Sequence, residues 1–232
     1  METMETMETG YPIAEEFDSI QGEGHWTGTA MRFIRFAGCN VGRMLRESSI
    51  GVQSVNGEPY HAMCTLWDGR TFGCDTNYQK HSAKSPFQLL SAAWQSHICL
   101  TGGEPLLHDL SMLIRKATRQ GKMIHLETSG TRYPEWLRED PLRHQIWISV
   151  SPKEDCLPEM ISLADEIKIL VDERFDERQL LVSFLNNNNV YLQPVNYEMT
   201  VNRENLERCL QLQKRFPEFR ISCQLHKFMN VR

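Results

Sequence analysis

The chain has 232 residues, 41% of them hydrophobic and 24% charged, a composition typical of a soluble globular protein with one full-sized core. Its formal net charge of -5 at pH 7 argues against nucleic acid as a partner, because nucleic-acid-binding proteins usually present a basic surface. The apolar runs, such as residues 167–171, are too short to cross a membrane.

Residues 1–9 repeat Met-Glu-Thr three times. We interpret them as an artefact or a tag, and we expect a single domain over residues 10–232. The chain contains seven cysteines, an odd number, and no export signal is recognised. Both features favour a reducing, cytoplasmic environment in which thiols bind metal or are simply buried.

In chain order, β-prone apolar segments alternate with segments of helical spacing. Strands are predicted at residues 31–36, 97–100, 123–126, 145–150, 166–171, 189–192 and 219–223. Helices are predicted at residues 87–94, 110–118, 134–137, 158–163, 176–185 and 204–216. Residues 18–25 read as a polar loop before the first strand, and residues 40–73 as a long excursion without a clear strand.

This alternation predicts an α/β protein with about six parallel βα units, arranged as an open doubly wound sheet or a partial barrel. In both arrangements the chemistry collects at the carboxyl ends of the strands. Polar motifs follow four of the predicted strands, which indicates a functional site at that edge. They are Thr101-Gly102-Gly103-Glu104, Glu127-Thr128-Ser129-Gly130, Ser151-Pro152-Lys153 and Gln193-Pro194.

Three cysteines, Cys39, Cys64 and Cys74, lie in or beside the long excursion. Soft thiolate ligands select zinc, copper(I) or iron–sulfur clusters. Three thiolates can hold three irons of a four-iron cluster and leave the fourth open for a small molecule. His61 lies three residues before Cys64, so a structural zinc site of the Cys3His type is an equal alternative on spacing alone.

The Gly-Gly-Glu segment supplies bare backbone and one carboxylate, Glu104, which suits an amino-acid-like ligand, although glycine turns of this kind are common. Gln21 and Glu23 can make paired hydrogen bonds to an amide-bearing heterocycle. His226 and Lys227 follow the last predicted strand and could bind a carboxylate or lie in a surface tail.

Taken together, these segments resemble the radical S-adenosylmethionine superfamily and, within it, the family of 7-carboxy-7-deazaguanine synthases. The resemblance runs from about Glu16 to Arg232. It rests on the residues of eight short segments, namely 17–24, 35–40, 74–76, 101–106, 127–131, 151–153, 193–194 and 225–227.

The resemblance implies an incomplete (β/α) barrel and a 4Fe–4S cluster held by Cys39, Cys64 and Cys74. It implies S-adenosyl-L-methionine bound by Gly103, Glu104, Ser151, Pro152, Lys153, Gln193 and Pro194. It also implies substrate contacts from Ile20, Gln21, Gly22, Arg35 and Thr101, and magnesium (Mg2+) bound at Thr76.

By the same resemblance, the chain is expected to be a radical lyase of queuosine-type biosynthesis. Its substrate would be 6-carboxy-5,6,7,8-tetrahydropterin and its product 7-carboxy-7-deazaguanine, with loss of ammonia. A flavodoxin- or ferredoxin-type protein would donate the electron, and a homodimer is expected.

The sequence departs from the superfamily in the cluster loop, where three and then two residues usually separate the cysteines. Here 24 residues separate Cys39 from Cys64 and nine separate Cys64 from Cys74, which leaves His61 as a substitute ligand. The alternative functions are a glycyl-radical activating enzyme, which acts on a protein, and a zinc-stabilised binding protein without catalysis.

Overall fold

The computed structural model describes residues 10–45, 54–55, 58–59, 61–74, 76–79, 81–138, 140–180, 182–185, 187, 189–196 and 200–231. The repeat at residues 1–9 and Asp75 of the Cys74-Asp75-Thr76 motif lie outside them. The strands are β1 (Tyr11–Ile20), β2 (Ala30–Phe36), β3 (Arg43–Met44), β4 (Ser54–Val55), β5 (Glu58–Pro59), β6 (Ala62–Thr65), β7 (Thr71–Cys74), β8 (Ser82–Lys84), β9 (His97–Gly102), β10 (Met123–Thr128), β11 (Ile146–Val150), β12 (Glu166–Val171), β13 (Val190–Pro194) and β14 (Arg220–Ile221).

The helices lie between the strands at most of the predicted positions. They are α1 (Pro86–Ser91), α2 (Ser111–Arg119), α3 (Asp140–Arg143), α4 (Pro158–Leu163), α5 (Val182–Leu185), α6 (Arg203–Arg215) and α7 (Leu225–Phe228), with 3-10 helices at Pro105–Leu107, Glu135–Arg138 and Glu177–Gln179. Helix α1 begins with a capping box, in which Ser85 and Gln88 satisfy each other's backbone N–H groups.

Nine strands form one sheet in the order β14-β13-β12-β11-β10-β9-β2-β1-β8. All neighbours from β2 to β14 pair in parallel, which confirms the predicted βα units of an α/β protein. Strands β1 and β8 extend the sheet beyond β2 in antiparallel fashion. Strands β9 to β13 are mostly buried on both faces, and α2 covers one face with Leu113, Ile114 and Ala117.

The prediction of a loop at residues 18–25 is wrong for its first three residues, which belong to β1. Strand β1 is joined to β2 by charged side chains as well as by the antiparallel ladder. Arg32 donates to Asp18 (2.8 Å) and Glu16 (2.9 Å). Because these polar residues are paired across the strands, the alternation of apolar and polar residues that marks a half-buried strand is absent.

The prediction that residues 40–73 contain no strand is also wrong. Strands β3, β6 and β7 form a separate three-stranded antiparallel sheet, and β4 pairs with β5. The longest of these strands has four residues, which is too short to show a period of two in the sequence. Within the part of the chain that is described, no helix is both long and apolar enough to span a membrane.

Candidate active site

The β6–β7 hairpin places two of the three predicted cluster cysteines side by side. Cys74 lies opposite Ala62, and Cys64 is two residues further along β6, so both side chains project from the same face of the hairpin. A hydrogen bond to Cys74, together with burial, raises the pKa of the Cys64 thiol. The backbone N–H of His61 donates to the Cys74 carbonyl (2.8 Å).

Cys39 follows β2 and lies close enough for its charge to act on Cys64. Its Sγ accepts hydrogen bonds from the N–H groups of Val41 (3.5 Å) and Gly42 (3.3 Å). These contacts hold the Cys39 sulfur against the backbone at residues 41 and 42. All three cysteines are half-buried, and Cys39 and Cys74 both act on the Cys64 thiol, so the structure places the three near one another.

Within the described ranges, no three His, Cys, Asp or Glu side chains converge closely enough to hold a single metal ion. A zinc ion would need its ligands that close, because all of them bind one atom at about 2.0–2.3 Å. In a four-iron cluster each thiolate binds a different iron, so the sulfur atoms are spread further apart. Three half-buried thiolates are the donor set that an iron–sulfur cluster takes from a protein.

The Gly-Gly-Glu segment passes directly against the loop that carries Cys39. The N–H of Gly103 donates to the Phe36 carbonyl (3.0 Å), and the N–H of Glu104 donates to the Gly38 carbonyl (2.9 Å). A Cβ atom at position 103 would lie 1.9 Å from the Gly38 oxygen. Glycine is required here because two backbones approach each other this closely.

The side chain of Glu104 is fully buried, and its carboxylate is hydrogen-bonded to other groups of the protein. Its carboxylate accepts hydrogen bonds from the Leu106 N–H (3.0 Å), the Thr128 hydroxyl (2.8 Å) and the Ser129 N–H (2.9 Å), and also from the Ser129 hydroxyl. Glu104 thus ties the loop after β9 to the loop after β10.

Lys153 lies beside the β6–β7 hairpin, which carries Cys64 and Cys74. Its Nζ donates to the Ser151 carbonyl (3.1 Å), and its backbone forms a β-bridge with Leu66, which follows β6. Burial lowers the pKa of Lys153, while the nearby Cys64 and Cys74 thiols oppose that shift. The predicted segment Ser151-Pro152-Lys153 is therefore adjacent to the cysteine site.

A cavity of about 220 Å³ lies between β1, the loop that follows it, β2 and the segment after β14. It is lined by four residues predicted to contact substrate: Ile20, Gln21, Gly22 and Arg35. The other lining residues are Phe17, Glu23, Phe33, Glu127, Gln224, His226 and Lys227. The remaining predicted substrate residue, Thr101, lies behind this wall and donates from Oγ1 to Glu127 (3.0 Å).

Lys168 bridges two of the carboxylates in this cavity wall, since its Nζ donates to Glu23 (2.8 Å) and to Glu127 (3.3 Å). Burial alone would raise the pKa of Glu23, but the Lys168 ammonium outweighs it and lowers that pKa to about 2. The same cation lowers the pKa of Glu127. Both carboxylates are therefore ionised hydrogen-bond acceptors at neutral pH.

Two amide side chains complete the environment of Glu23. Gln193 Nε2 (3.0 Å) and Gln224 Nε2 (2.9 Å) both donate to its Oε1. Gln193 is buried, and its Oε1 accepts no hydrogen bond from the described residues. Pro194, its predicted companion, is the last residue of β13 and is buried.

Arg35 connects the cavity to the cysteine site. Its Nη1 donates to the Thr76 hydroxyl (3.1 Å), and its Nε lies 3.3 Å from Glu15. Thr76, predicted to bind magnesium, is thus two residues from Cys74 and in contact with a cavity residue.

No family model matches the chain, but individual proteins do. It is 31% identical over 233 residues to the 7-carboxy-7-deazaguanine synthase of Synechocystis sp., with 98% of this chain and 97% of the relative covered. The chain belongs to the 7-carboxy-7-deazaguanine synthase family. Family members from Escherichia coli K12 (95% and 99% covered) and Flavobacterium psychrophilum (95% and 92% covered) are each 30% identical to it.

A solved structure supports the assignment to the 7-carboxy-7-deazaguanine synthase family. The crystal structure of QueE from Escherichia coli superposes with a TM-score of 0.66 at 28% sequence identity. The match covers 94% of this chain and 95% of that structure.

Sequence reasoning about this family member missed Lys168, Phe17 and Phe33 as parts of the site. Lys168 is hidden in the apolar strand Glu-Ile-Lys-Ile-Leu-Val, where it could be taken for an edge residue. A lysine in the middle of a parallel strand that is buried on both faces is the signal that could have found it. Phe17 and Phe33 stack across β1 and β2 with ring centroids 5.1 Å apart, and β1 was not predicted.

Proposed function

We propose that this chain converts 6-carboxy-5,6,7,8-tetrahydropterin to 7-carboxy-7-deazaguanine with loss of ammonia, as a radical S-adenosylmethionine lyase of queuosine-type biosynthesis. The observation that carries the proposal is the position of the cavity. It is lined by ionised carboxylates and by Arg35, which contacts Thr76 beside the cysteine site. A small polar heterocycle could therefore bind next to a cluster.

In this proposal Cys39, Cys64 and Cys74 hold a 4Fe–4S cluster. Cys64 is favoured over His61 because its thiol shares a face and a hydrogen bond with Cys74. S-adenosyl-L-methionine would bind to Gly103, Ser151, Pro152, Lys153, Gln193 and Pro194, with Glu104 holding the Gly103 loop in place through its internal hydrogen bonds. When bound, the two cofactors supply the radical chemistry, and the protein supplies orientation.

The cavity walls match the chemistry of a carboxylated pterin. Glu23 and Glu127 are ionised acceptors for the amino and ring N–H groups of the heterocycle. Arg35 and Lys227 are donors for its carboxylate. Burial lowers the pKa of His226, which favours a neutral imidazole that can both donate and accept. Mg2+ near Thr76 would damp the charge of the substrate carboxylate.

We further propose that the sheet curves into an incomplete barrel within one domain. The loop after β1 meets the segment after β14, although these strands lie near opposite ends of the sheet. The N–H of Gly24 donates to the Ser222 hydroxyl (2.9 Å), and the N–H of Leu225 donates to the Gly22 carbonyl (2.9 Å). A flat sheet of this width could not bring these residues together.

Two partners complete the proposal. The reaction needs one electron from outside the chain, which a flavodoxin- or ferredoxin-type donor would supply. The chain would act as a homodimer.

The test is anaerobic reconstitution with iron and sulfide, followed by incubation with dithionite, S-adenosyl-L-methionine, magnesium and 6-carboxytetrahydropterin. Mass spectrometry would identify the products of the wild type, of Cys64→Ala and of His61→Ala. Cys209→Ala is the matched control, because Cys209 is buried in α6 away from the cavity. We expect 7-carboxy-7-deazaguanine from all proteins except Cys64→Ala.

Other outcomes would replace the proposal. A wild-type protein that yields 5′-deoxyadenosine but no deazaguanine would support a glycyl-radical activating enzyme. A colourless, zinc-loaded protein that takes up no iron would support a zinc-stabilised binding protein without catalysis.

A further inference from the structure

The β6–β7 hairpin carries Cys64 and Cys74, and its turn rests on the end of β12. Arg70 lies in this turn with only 7% of its side chain exposed. The Leu66 N–H donates to the Arg70 carbonyl (2.8 Å) and closes the turn. A buried arginine at the tip of an inserted loop needs an explanation, because exposed turns normally leave such a side chain in water.

Arg70 uses its guanidinium group on three acceptors. Its Nη1 donates to Asp172 (2.7 Å), its Nη2 to the Leu170 carbonyl (2.6 Å) and its Nε to Asp68 (2.7 Å). Asp172 has no exposed side-chain surface, and it is also bound by Arg174 Nε (2.8 Å). The turn of the hairpin is therefore fixed to the carboxyl end of β12 by a buried ion pair.

The same guanidinium group reaches the hairpin strand opposite Cys64. Arg70 lies 5.0 Å from the ring centroid of Phe175 and 5.5 Å from that of Phe72, and Arg174 lies 4.9 Å from the Phe72 ring. Phe72 is the residue directly opposite Cys64. Arg70 therefore contacts the residue that is paired with Cys64, so that loss of the guanidinium group should alter the packing beside Cys64.

We propose that Arg70 is a positioning residue, which with Asp172 holds the β6–β7 hairpin so that Cys64 and Cys74 face Cys39. This inference rests on the proposed function, because it assumes that the three cysteines bind one cluster. It also explains how a widely spaced cysteine set becomes a compact site: the inserted hairpin is anchored to the main sheet instead of being held by short spacing.

The hairpin has other attachments that do not involve Arg70. The Glu154 N–H donates to the Thr65 carbonyl (2.9 Å), and Trp67 packs edge-on against Phe184 with centroids 4.9 Å apart. Loss of Arg70 should therefore loosen the turn of the hairpin without detaching it, because Thr65 and Trp67 keep their contacts. Variants that lack the Arg70 guanidinium group should therefore fold, but Cys64 and Cys74 should be held less rigidly than in wild type.

The experiment compares Arg70→Met, Arg70→Lys and Asp172→Asn with wild type. Arg178→Met is the matched control, because Arg178 pairs with Asp176 near the same loop and its side chain is 87% exposed. The first readout is the rate at which iodoacetamide alkylates Cys39, Cys64 and Cys74 in the iron-free protein, resolved by mass spectrometry. The second is iron and sulfide bound per chain after reconstitution, with the EPR spectrum of the reduced cluster.

In Arg70→Met and Asp172→Asn we expect Cys64 and Cys74 to be alkylated at least about tenfold faster than in wild type, with Cys39 changed less, since the rate follows the open population. Cluster content should fall, and Arg70→Lys should restore part of it because a lysine keeps the charge but not the planar fork. Arg178→Met should behave like wild type. Unchanged alkylation and cluster content in the folded variants would overturn the inference.

The alkylation readout separates this inference from the proposed function. If wild type takes up no iron, the proposed function fails, whereas the protection of the thiols by Arg70 can still be measured. If Arg70→Met does not fold, Arg70→Lys and Asp172→Asn decide the question by the same criteria.

Discussion

Lys168 joins carboxylates that come from distant parts of the chain. Glu23 lies in the loop after β1 and Glu127 near the end of β10, yet both contact one ammonium group. The carboxylates in turn raise the pKa of Lys168 well above its ordinary value, against the lowering effect of burial. The three side chains form one charged unit in the wall of the cavity.

We expect Lys168→Met to leave Glu23 and Glu127 facing each other without their shared cation. The free energy of unfolding at pH 7.5 should fall by about 2 kcal/mol, less than for a fully buried pair because both carboxylates face the cavity. Without the cation, the folded-state pKa values of the carboxylates rise above their unfolded values. The defect should therefore be smaller at pH 5.5, where protonation relieves it.

Urea unfolding at the two pH values measures this effect. Lys214→Met is the control, because Lys214 is exposed on α6 and should change stability little at either pH. A Lys168→Met defect that is as large at pH 5.5 as at pH 7.5 would contradict the assigned charge states.

At the scale of elements, the loop after β1 and helix α7 close the cavity together. The Leu225 N–H donates to the Gly22 carbonyl, and a Cβ atom at position 22 would lie 1.8 Å from His226 Nδ1. Glycine at this position lets the imidazole lie flat against the loop and line the cavity.

We expect Gly22→Ala to displace the His226 ring and alter the cavity with little change in the backbone. The unfolding free energy should change by less than about 1 kcal/mol, since the end of one side chain can move. The KM for the pterin should rise about tenfold, as for the loss of one good hydrogen bond. Steady-state kinetics of Gly22→Ala, His226→Ala and the double variant measure the coupling.

If the clash is the cause, adding Gly22→Ala to His226→Ala should raise KM little further. Fully additive effects of the two substitutions would show that Gly22 acts through something other than the His226 ring.

Element prediction succeeded where apolar runs were long and failed where charges or short strands replaced them. The parallel strands β9 to β13 were predictable because burial on both faces makes them continuously apolar. Strand β1 was not, because Asp18 and Glu16 are paired with Arg32. The β6–β7 hairpin was not, because its strands have only four residues and its turn is held by Leu170 and Asp172, about 100 positions away.

At the scale of the molecule, the predicted edge of the sheet did collect the polar motifs, since parallel strands place their carboxyl ends together. Gln21, Gly22 and Arg35 line one cavity, although Gln21 and Gly22 follow the antiparallel strand β1, whose carboxyl end lies beside the amino end of β2. The contacts of Gly24 with Ser222 and of Glu23 with Gln224 join residues about 200 positions apart. No local pattern encodes such a contact, so the closing of the cavity required the structure.

The amino-terminal part of the sheet, near the starts of β9 and β10, carries a pair of histidines, of which His125 is buried and His97 half-buried. His97 Nδ1 lies 2.8 Å from His125 Nε2, which requires one ring to donate and the other to accept. His125 is 3% exposed and packs against Trp26. Burial, reinforced by the charge of His97 and opposed by Glu127, lowers the pKa of His125 to about 4.

In the unfolded chain His125 would bind its proton near the ordinary pKa of 6.5. Between about pH 6.5 and pH 4 the unfolded state therefore binds more protons than the folded state, and stability falls as the pH is lowered through this window. We expect His125 to account for a loss of up to about 3 kcal/mol of unfolding free energy across this pH window.

The measurement is urea unfolding of wild type and His125→Gln from pH 7 to pH 4, with His81→Gln, an exposed histidine, as control. Because the carboxylates titrate alike in all three proteins, they do not change the difference in unfolding free energy between any two of them. As the pH drops, the unfolding free energy of wild type should therefore fall towards that of His125→Gln. His81→Gln should follow wild type. Parallel curves for wild type and His125→Gln would mean that the buried pair does not set this pH dependence.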